Sequence, residues 1–262
     1  MTSADLLAAY DAQLREGSEM ASADSFDRAG PMLRGVFGDR GFVSYRDLGG
    51  ASGAALDALI AQTVEHYAAT PHIQAFEWKA RGHDVPDDLP QRLVAHGFQP
   101  DDIETVMVGE AKLLADPVPL PDGVTLRRID NQPDPLADVT RAAETLERAF
   151  GHGFGVDGLM RRIEQHPELI ELWVAEADGE FICAGRLEYV PDSEFAGLWG
   201  GGTVPEWRGQ GIYRALTAAR ARSVVGRGVR YLHSDCTAMS RPILERSGMT
   251  PITTTTPYLW RR

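Results

Sequence analysis

Lysine is nearly absent from this chain of 262 residues, which has it only at Lys79 and Lys112. Arginine supplies the other positive charges, yet acidic residues outnumber basic ones by 38 to 26 and give a formal net charge of −12. Nucleic-acid binding depends on a surplus of basic side chains over the contact face, so this balance weighs against nucleic acid as a partner. An acidic surface instead favours the approach of cationic substrates such as amines.

Cysteine and long apolar runs are scarce as well. Cys183 and Cys236 cannot form a disulfide framework, and both lie in strand-like stretches, which predicts buried, reduced thiols. The apolar runs are broken by Arg, Asp or Glu, so we expect no bilayer-spanning segment and no membrane partner. The first twenty residues lack the basic start and apolar stretch of a signal peptide. A cytoplasmic location is therefore expected.

Hydrophobic periodicity divides the chain into helices and strands. Helices are predicted at 4–17, 53–68, 87–96, 136–150, 159–166, 211–226 and 240–247. Strands are predicted at 41–45, 73–78, 104–114, 124–129, 169–175, 181–190, 195–204, 229–236 and 253–260. Asp178-Gly179 indicates a tight hairpin between two of these strands. The alternation predicts a mixed α/β fold, and the three prolines in 115–123 predict a boundary between domains 1–116 and 117–262.

A glycine-rich turn joins the strand that ends at Val204 to the following helix. Its residues are Thr203-Val204-Pro205-Glu206-Trp207-Arg208-Gly209-Gln210-Gly211-Ile212-Tyr213. The first N–H groups of a helix have no intrahelical partner and attract anions, and glycines let a phosphate approach the backbone closely. Arg208 adds a charge whose fork geometry suits phosphate. No Gly-Lys-Ser/Thr follows, which excludes a P-loop, and only part of a dinucleotide fingerprint is present.

The run 204–216 resembles the cofactor-binding motif of the GNAT acetyltransferases, in which Arg/Gln-x-x-Gly-x-Gly/Ala wraps the pyrophosphate of CoA. The element order after residue 124 is also similar to that fold, so the resemblance covers roughly the C-terminal half. It implies a mostly antiparallel sheet flanked by helices, with acetyl-CoA as co-substrate. No metal is expected, because His83 has no second histidine or cysteine nearby at metal-ligand spacing. Thr203 and Val204 would offer backbone groups to the pantetheine arm where the fourth and fifth strands of the domain splay. The pyrophosphate would be held by Arg208, Gly209, Gln210, Gly211, Ile212 and Tyr213.

Two departures from the family pattern are visible. Tyr213 stands where the family prefers Gly or Ala, so its ring must point away from the phosphates. Family members often carry Asn after strand five and Tyr in the next helix as general acid, where this chain has Thr237 and Leu244. Ser240, Tyr258 or a water could replace that acid, or the thiolate could leave without one.

A general base must remove a proton from the attacking amine, and a carboxylate or an ordered water usually does so. Asp235, near the end of the fifth strand, and Glu188, on the third, are the candidates. The loop 152–155, which includes Phe154, falls where related enzymes shape their acceptor site. The resemblance implies direct acetyl transfer in a ternary complex to a small-molecule amine or a peptide N-terminus.

Other interpretations remain open. The missing Tyr favours a non-catalytic CoA or acyl-CoA sensor, while aminoacyl transfer from a charged tRNA is opposed by the net charge.

Residues 90–100 match 241–251 in outline, each a short helix with Leu at the same offset that is stopped by Gly. The run after Tyr45 lacks the Pro-x-x-Arg-Gly-x-Gly pattern, so we expect residues 1–116 to be a degenerate GNAT-like or accessory domain in a tandem arrangement. That domain would supply a wall of the acceptor site or complete the C-terminal sheet. Neither the acceptor nor the oligomeric state follows from the sequence.

Overall fold

The computed structural model describes residues 1–153 and 155–262, so Phe154 lies outside the described residues. The helices are α1 (Ser3–Gln13), α2 (Gly53–Ala68), α3 (Leu89–Ala95), α4 (Ala111–Leu114), α5 (Leu136–Phe150), α6 (Val156–Gln165), α7 (Ile212–Val224) and α8 (Arg241–Ser247). The strands are β1 (Ser25–Ala29), β2 (Met32–Phe37), β3 (Arg40–Ser44), β4 (Ala75–Arg81), β5 (Gln99–Pro100), β6 (Glu104–Glu110), β7 (Val124–Arg128), β8 (Ile170–Ala177), β9 (Glu180–Tyr189), β10 (Phe195–Thr203), β11 (Tyr231–Cys236) and β12 (Thr250–Arg261). None of the described helices is both long enough and apolar enough to cross a membrane.

Two compact units divide the chain. Unit 1 contains residues 1–106, 235–238 and 251–262, and unit 2 contains residues 107–234 and 239–250. The division follows spatial contacts and does not coincide with the proline-rich stretch 115–123, because unit 1 also takes in nearly all of the C-terminal strand β12. The assignment of 1–116 and 117–262 as two functional domains stays a prediction.

The sheet of unit 1 has the order β1-β2-β3-β4-β12, with a parallel pair at β3 and β4 and antiparallel pairs elsewhere. Helix α2 buries Leu56, Ile60 and Tyr67 in the same cluster as Phe76 and Trp78 of β4. The sequence analysis missed β1 and β2. Most residues of β1 are exposed, so that strand shows no alternation of apolar and polar positions.

The sheet of unit 2 has the order β11-β10-β9-β8-β7, in which only β10 and β11 are parallel. A Cβ added to Gly202 would lie 2.7 Å from the ring of Phe150 in α5, and one added to Gly201 would lie 2.7 Å from the ring of Tyr213 in α7. Successive residues of a strand point to opposite faces, so α5 and α7 cover opposite faces of this sheet. The predicted mixed α/β fold with mostly antiparallel, helix-flanked sheets is confirmed.

Several predicted elements agree closely with the structure. Helix α5 occupies the predicted range, and its buried residues recur at helical spacing. Asp178 and Gly179 have φ of 50° and 81° and join β8 to β9 in the predicted two-residue hairpin. One predicted strand, 104–114, is wrong beyond Glu110, where the one-turn helix α4 follows. A short apolar run cannot distinguish these two outcomes by periodicity.

The likeness between 90–100 and 241–251 is also visible in the local structure. Helices α3 and α8 are both seven residues long and end at a left-handed glycine, Gly97 with φ 89° and Gly248 with φ 104°. The amide of the residue after each glycine donates to the carbonyl of the corresponding leucine, Leu93 or Leu244, at 3.1 and 3.0 Å. Each unit thus contains the same helix-ending motif.

Candidate functional site

The glycine-rich turn lies wholly within unit 2. Strand β10 ends at Thr203, a single 3-10 turn spans Pro205–Trp207, and α7 begins at Ile212. Gly209 and Gly211 have φ of 78° and 82°, in the left-handed region that other residues adopt only with strain. A Cβ on Gly209 would meet nothing within 4 Å among the described atoms, so this glycine is needed for its backbone conformation and leaves open space above it.

The first turn of α7 presents backbone amides to that open space. Gly211 is the N-cap residue, and its carbonyl accepts the amide of Ala215 at 3.0 Å. Within the described part of the chain, no side chain caps this helix end. The initial N–H groups and the positive end of the helix dipole form a favourable environment for a phosphate. Binding of a CoA pyrophosphate at this turn stays a prediction.

Arg208 braces the turn. Its Nε donates to the carbonyl of Thr203 at 3.1 Å, and its Nη2 donates to the carbonyl of Ala149 at 2.8 Å. The residue is exposed, so its positive charge remains at the surface of the turn. Replacing Arg208 would remove these two structural bonds together with the charge, which makes it a poor single probe of ligand binding.

Tyr213 turns its ring toward the sheet. The ring packs over Gly201 of β10 and joins the cluster that contains Cys183, Val204 and Leu216. Its main-chain amide stays in the first turn of α7. The side chain that departs from the family pattern is thus accommodated by a glycine on the neighbouring strand.

The predicted pantetheine contacts lie where β10 leaves β9. Val204 is buried, its amide donates to the carbonyl of Ile182, and its own carbonyl accepts the amide of Trp207, both at 3.0 Å. The hydroxyl of Thr203 donates to Sγ of Cys183 at 3.1 Å. Cys183 and Cys236 are both buried free thiols, as predicted. The role of Thr203 and Val204 toward a ligand stays a prediction.

Strands β10 and β11 run in parallel register only at their amino ends. The paired positions run from Phe195–Tyr231 to Gly197–His233, after which β10 continues through a bulge between Trp199 and Gly202. The hydroxyl of Ser234 donates to the carbonyl of Leu198 at 3.0 Å just past the last pair. The resemblance places the splay of these two strands farther along β10, at Thr203 and Val204, and that placement stays a prediction.

Glu188 is held between two guanidinium groups. Arg186 Nε and Arg162 Nη2 lie 2.8 and 2.6 Å from its two carboxylate oxygens. Burial opposes the ionisation of Glu188, but the two arginines outweigh it and hold its pKa below the ordinary value. A carboxylate that is neutralised in this way is a weak proton acceptor.

Asp235 belongs to unit 1 and forms an ion pair with Lys79. Burial opposes the charge on Lys79, yet Asp235 and nearby acidic groups raise the pKa of this lysine above its ordinary value. The same cluster contains Glu104, a residue that the sequence analysis did not single out. Burial, followed by repulsion from Asp235, raises the pKa of Glu104 to about 7. Glu104 could not be recognised from the sequence, because the groups that raise its pKa, such as Asp235, are distant from it along the chain.

The two candidate acids also lie in different units. Ser240 is the N-cap residue of α8 in unit 2, where its carbonyl accepts the amides of Ile243 and Leu244 at 3.0 Å. Tyr258 is buried in the hydrophobic cluster of unit 1, and burial raises its pKa. Leu244, at the position of the family's tyrosine, is fully buried. The four candidate catalytic residues are therefore divided, with Glu188 and Ser240 in unit 2 and Asp235 and Tyr258 in unit 1, and their roles stay predictions.

Comparison with known proteins identifies the fold. No protein-family model and no curated protein matches the chain. Among solved structures, a GCN5-related N-acetyltransferase from Kribbella flavida matches with a TM-score of 0.64 and 16% identity, covering 98% of this chain and 93% of its own. A GCN5-related N-acetyltransferase from Sphaerobacter thermophilus matches with a TM-score of 0.63 and 20% identity, covering 88% and 76%.

A tandem GNAT protein from the clavulanic acid biosynthesis pathway, described without AcCoA, has a TM-score of 0.62 and 16% identity, covering 89% and 81%. These three likenesses extend over most of the chain. They show that this protein has the fold of the GNAT acetyltransferases, which confirms the resemblance first recognised in the motif. At identities of 16% to 20% they show the fold alone.

Proposed function

We propose that this protein is an N-acyltransferase that moves an acetyl group from acetyl-CoA to an amine. The observation that carries the proposal is the turn between β10 and α7. There two left-handed glycines precede a helix end without a side-chain cap among the described residues, within a unit of GNAT fold. The names of the similar solved structures, N-acetyltransferases in two cases, support the same activity.

In this proposal the turn binds the pyrophosphate of acetyl-CoA. The amides from Gly209 to Tyr213 donate to phosphate oxygens, and Arg208 contributes a positive charge at the mouth of the turn. Acetyl-CoA supplies an activated thioester, whose carbonyl carbon accepts the lone pair of the amine. The carbon–nitrogen bond forms, the carbon–sulfur bond breaks, and the thiolate of CoA leaves. The acceptor is a small-molecule amine or a peptide N-terminus, and the net charge of −12 favours its cationic form at the surface.

A second candidate is a sensor that binds CoA or acyl-CoA without turnover. It is motivated by the sequence alone, where Leu244 stands at the position at which the resemblance places the family's general acid. Thiol release with an amine panel separates the two, since a sensor binds acetyl-CoA and releases no CoA. The cytoplasmic location expected from the sequence is part of the proposal as well.

The test is the melting temperature with and without acetyl-CoA, with ATP and NADH as controls. Ligand at about 100 times its Kd adds roughly 2.7 kcal/mol to the free energy of unfolding, a rise on the order of 5–10 °C. The variant Gly209→Ala should lose much of that rise, because the alanine strains the backbone whose amides bind the phosphate.

Gly226→Ala is the matched control. Gly226 is exposed, has φ of 83°, and offers nothing within 4 Å of an added Cβ among the described atoms, which are also the features of Gly209. Both variants should therefore lower the melting temperature of the free protein by a similar amount, while only Gly209→Ala lowers the rise on adding acetyl-CoA. Absence of any rise at millimolar acetyl-CoA, or an equal loss in both variants, would contradict the proposed site.

A further inference from the structure

A row of side chains crosses the sheet of unit 2 at the end of the parallel register. Glu188 of β9 pairs with Gly197 of β10, which pairs with His233 of β11. Residues directly opposite each other share a face, and Glu188 contacts Arg162 of α6, so the row lies on the face covered by α6. His233 was not among the sequence candidates.

Gly197 brings two aromatic rings together above β10. A Cβ at this position would lie 2.2 Å from Nε1 of Trp199 and 3.1 Å from Nε2 of His233. The two rings meet edge to face, with centroids 5.3 Å apart and an interplanar angle of 85°. His233 is only 7% exposed, and its ring also meets the ring of Phe195 edge to face, with centroids 6.1 Å apart. The imidazole is therefore fixed by packing and lies over Gly197, which has no side chain to occupy that space.

This imidazole lies where the parallel pairing of β10 with β11 ends. Among the described residues the parallel register ends at the Gly197–His233 pair, and β10 then runs on toward the glycine-rich turn. In open α/β sheets, ligands bind at the carboxyl ends of neighbouring strands where the strands diverge. A ligand whose phosphates lie at the turn and whose arm follows β10 would direct its reactive end toward His233.

We propose that His233 is the general base of the acetyl transfer. The inference rests on the proposed function. The amine nitrogen attacks the thioester carbonyl carbon, the imidazole accepts the proton from that nitrogen, and the carbon–sulfur bond breaks. The proton on the imidazolium then passes to the CoA thiolate or to solvent, which restores the neutral ring.

The two carboxylates that the sequence offered as bases are less suited to this step. Glu188 is neutralised by Arg162 and Arg186, and Asp235 by Lys79. Histidine is the side chain type that ordinarily changes charge near neutral pH. Among the described residues, Glu188 in this row pairs with Arg186 and Arg162, and Asp235 follows His233 by two residues along β11.

The experiment compares His233→Gln with His166→Gln. His166 ends α6, its side chain is 49% exposed, and its nearest carboxylate is Glu168 at 4.0 Å, so it serves as the control histidine. Release of CoA is followed with a thiol reagent over a panel of amines and with water alone as acceptor. The melting temperature with and without acetyl-CoA is measured for each protein, and His233→Asn is a second variant in case the first does not fold.

We expect His233→Gln to lower kcat by roughly 10²–10⁴-fold while the rise in melting temperature with acetyl-CoA is kept. The wild-type rate should increase with pH as an imidazole loses its proton, and this increase should disappear in His233→Gln. A folded variant within threefold of the wild-type kcat would overturn the inference and leave the proposed function standing. Loss of the acetyl-CoA rise in His233→Gln would also overturn it, since the residue would then support binding. A wild-type protein that releases no CoA would overturn the proposed function and this inference together.

Discussion

The contact between Gly201 and Tyr213 leads to a testable prediction about Tyr213, the residue at which the glycine-rich motif departs from the GNAT pattern. Gly201 has an ordinary backbone conformation, so Gly201→Ala adds a methyl group without backbone strain. That methyl would lie 2.7 Å from Cε2 of Tyr213 and 3.3 Å from its hydroxyl oxygen. Overpacking of this kind costs about 1–3 kcal/mol, so a central value of about 2 kcal/mol should lower the melting temperature by about 4–8 °C.

The double-mutant cycle isolates the contact. Tyr213→Ala removes the ring, so Gly201→Ala should cost almost nothing in that background, and the coupling energy should be about 1–3 kcal/mol. Tyr213→Ala by itself should keep the rise in melting temperature with acetyl-CoA, because the main-chain amide at 213 remains. Gly158→Ala, on the exposed side of α6 with nothing within 4 Å of its Cβ among the described atoms, should not be destabilising.

Thermal unfolding of these variants with and without acetyl-CoA is the assay. A Gly201→Ala protein as stable as the wild type would refute the packing of Tyr213 against β10. A coupling energy near zero would do the same, since the clash would then involve another group. If Tyr213→Ala abolished the acetyl-CoA rise, the ring itself would be the binding group and the reasoning from the backbone amide would fail.

The other predictions concern two carboxyl groups. Glu104→Gln should raise the melting temperature most above pH 7, because burial and Asp235 raise the pKa of Glu104 to about 7 in the folded chain, whereas an unfolded glutamate ionises near about 4.3. The gain should shrink as the pH falls toward about 4.5, and a gain independent of pH would contradict it. Glu171→Gln should lower the free energy of unfolding by about 3 kcal/mol, since Glu171 is 1% exposed and pairs with Arg128 and Arg227 at 3.0 and 2.9 Å. Because the pKa of Glu171 is lowered in the folded chain, this loss of free energy of unfolding should be full at pH 7 and should shrink as the pH falls below about 4. Glu168→Gln, which changes an exposed side chain, should alter the free energy of unfolding in urea little at either pH.

The glycine-rich turn was accessible to sequence reasoning because its physics is local. Gly209 and Gly211 are spaced for left-handed residues before a helix, and the structure has both of them there. The surroundings of the candidate general bases could not be predicted from the sequence. A carboxylate on a predicted strand gives no sign of its partner, and only the fold shows Arg162 and Arg186 on either side of Glu188.

His233 could not be recognised as a candidate from the sequence for the same reason. Nothing in the residues around it indicates a site, because its neighbours Gly197 and Trp199 come from a strand more than thirty positions earlier in the chain. The parallel register between β10 and β11 brings them together. The bulge between Trp199 and Gly202 in the pairing of β10 with β9 likewise has no counterpart in the alternation of apolar residues.

By itself the sequence determined the elements whose cause lies within a few residues. These are the periodic helix α5, the Asp178-Gly179 hairpin, the glycine-ended helices α3 and α8, and the glycine-rich turn before α7. The tertiary structure alone decided which residues share a unit, as when β12, at the far end of the chain, pairs with β4. It also decided the ionisation of Glu104 and Glu188, because burial and charge at a carboxyl group depend on residues that only the folded chain brings near.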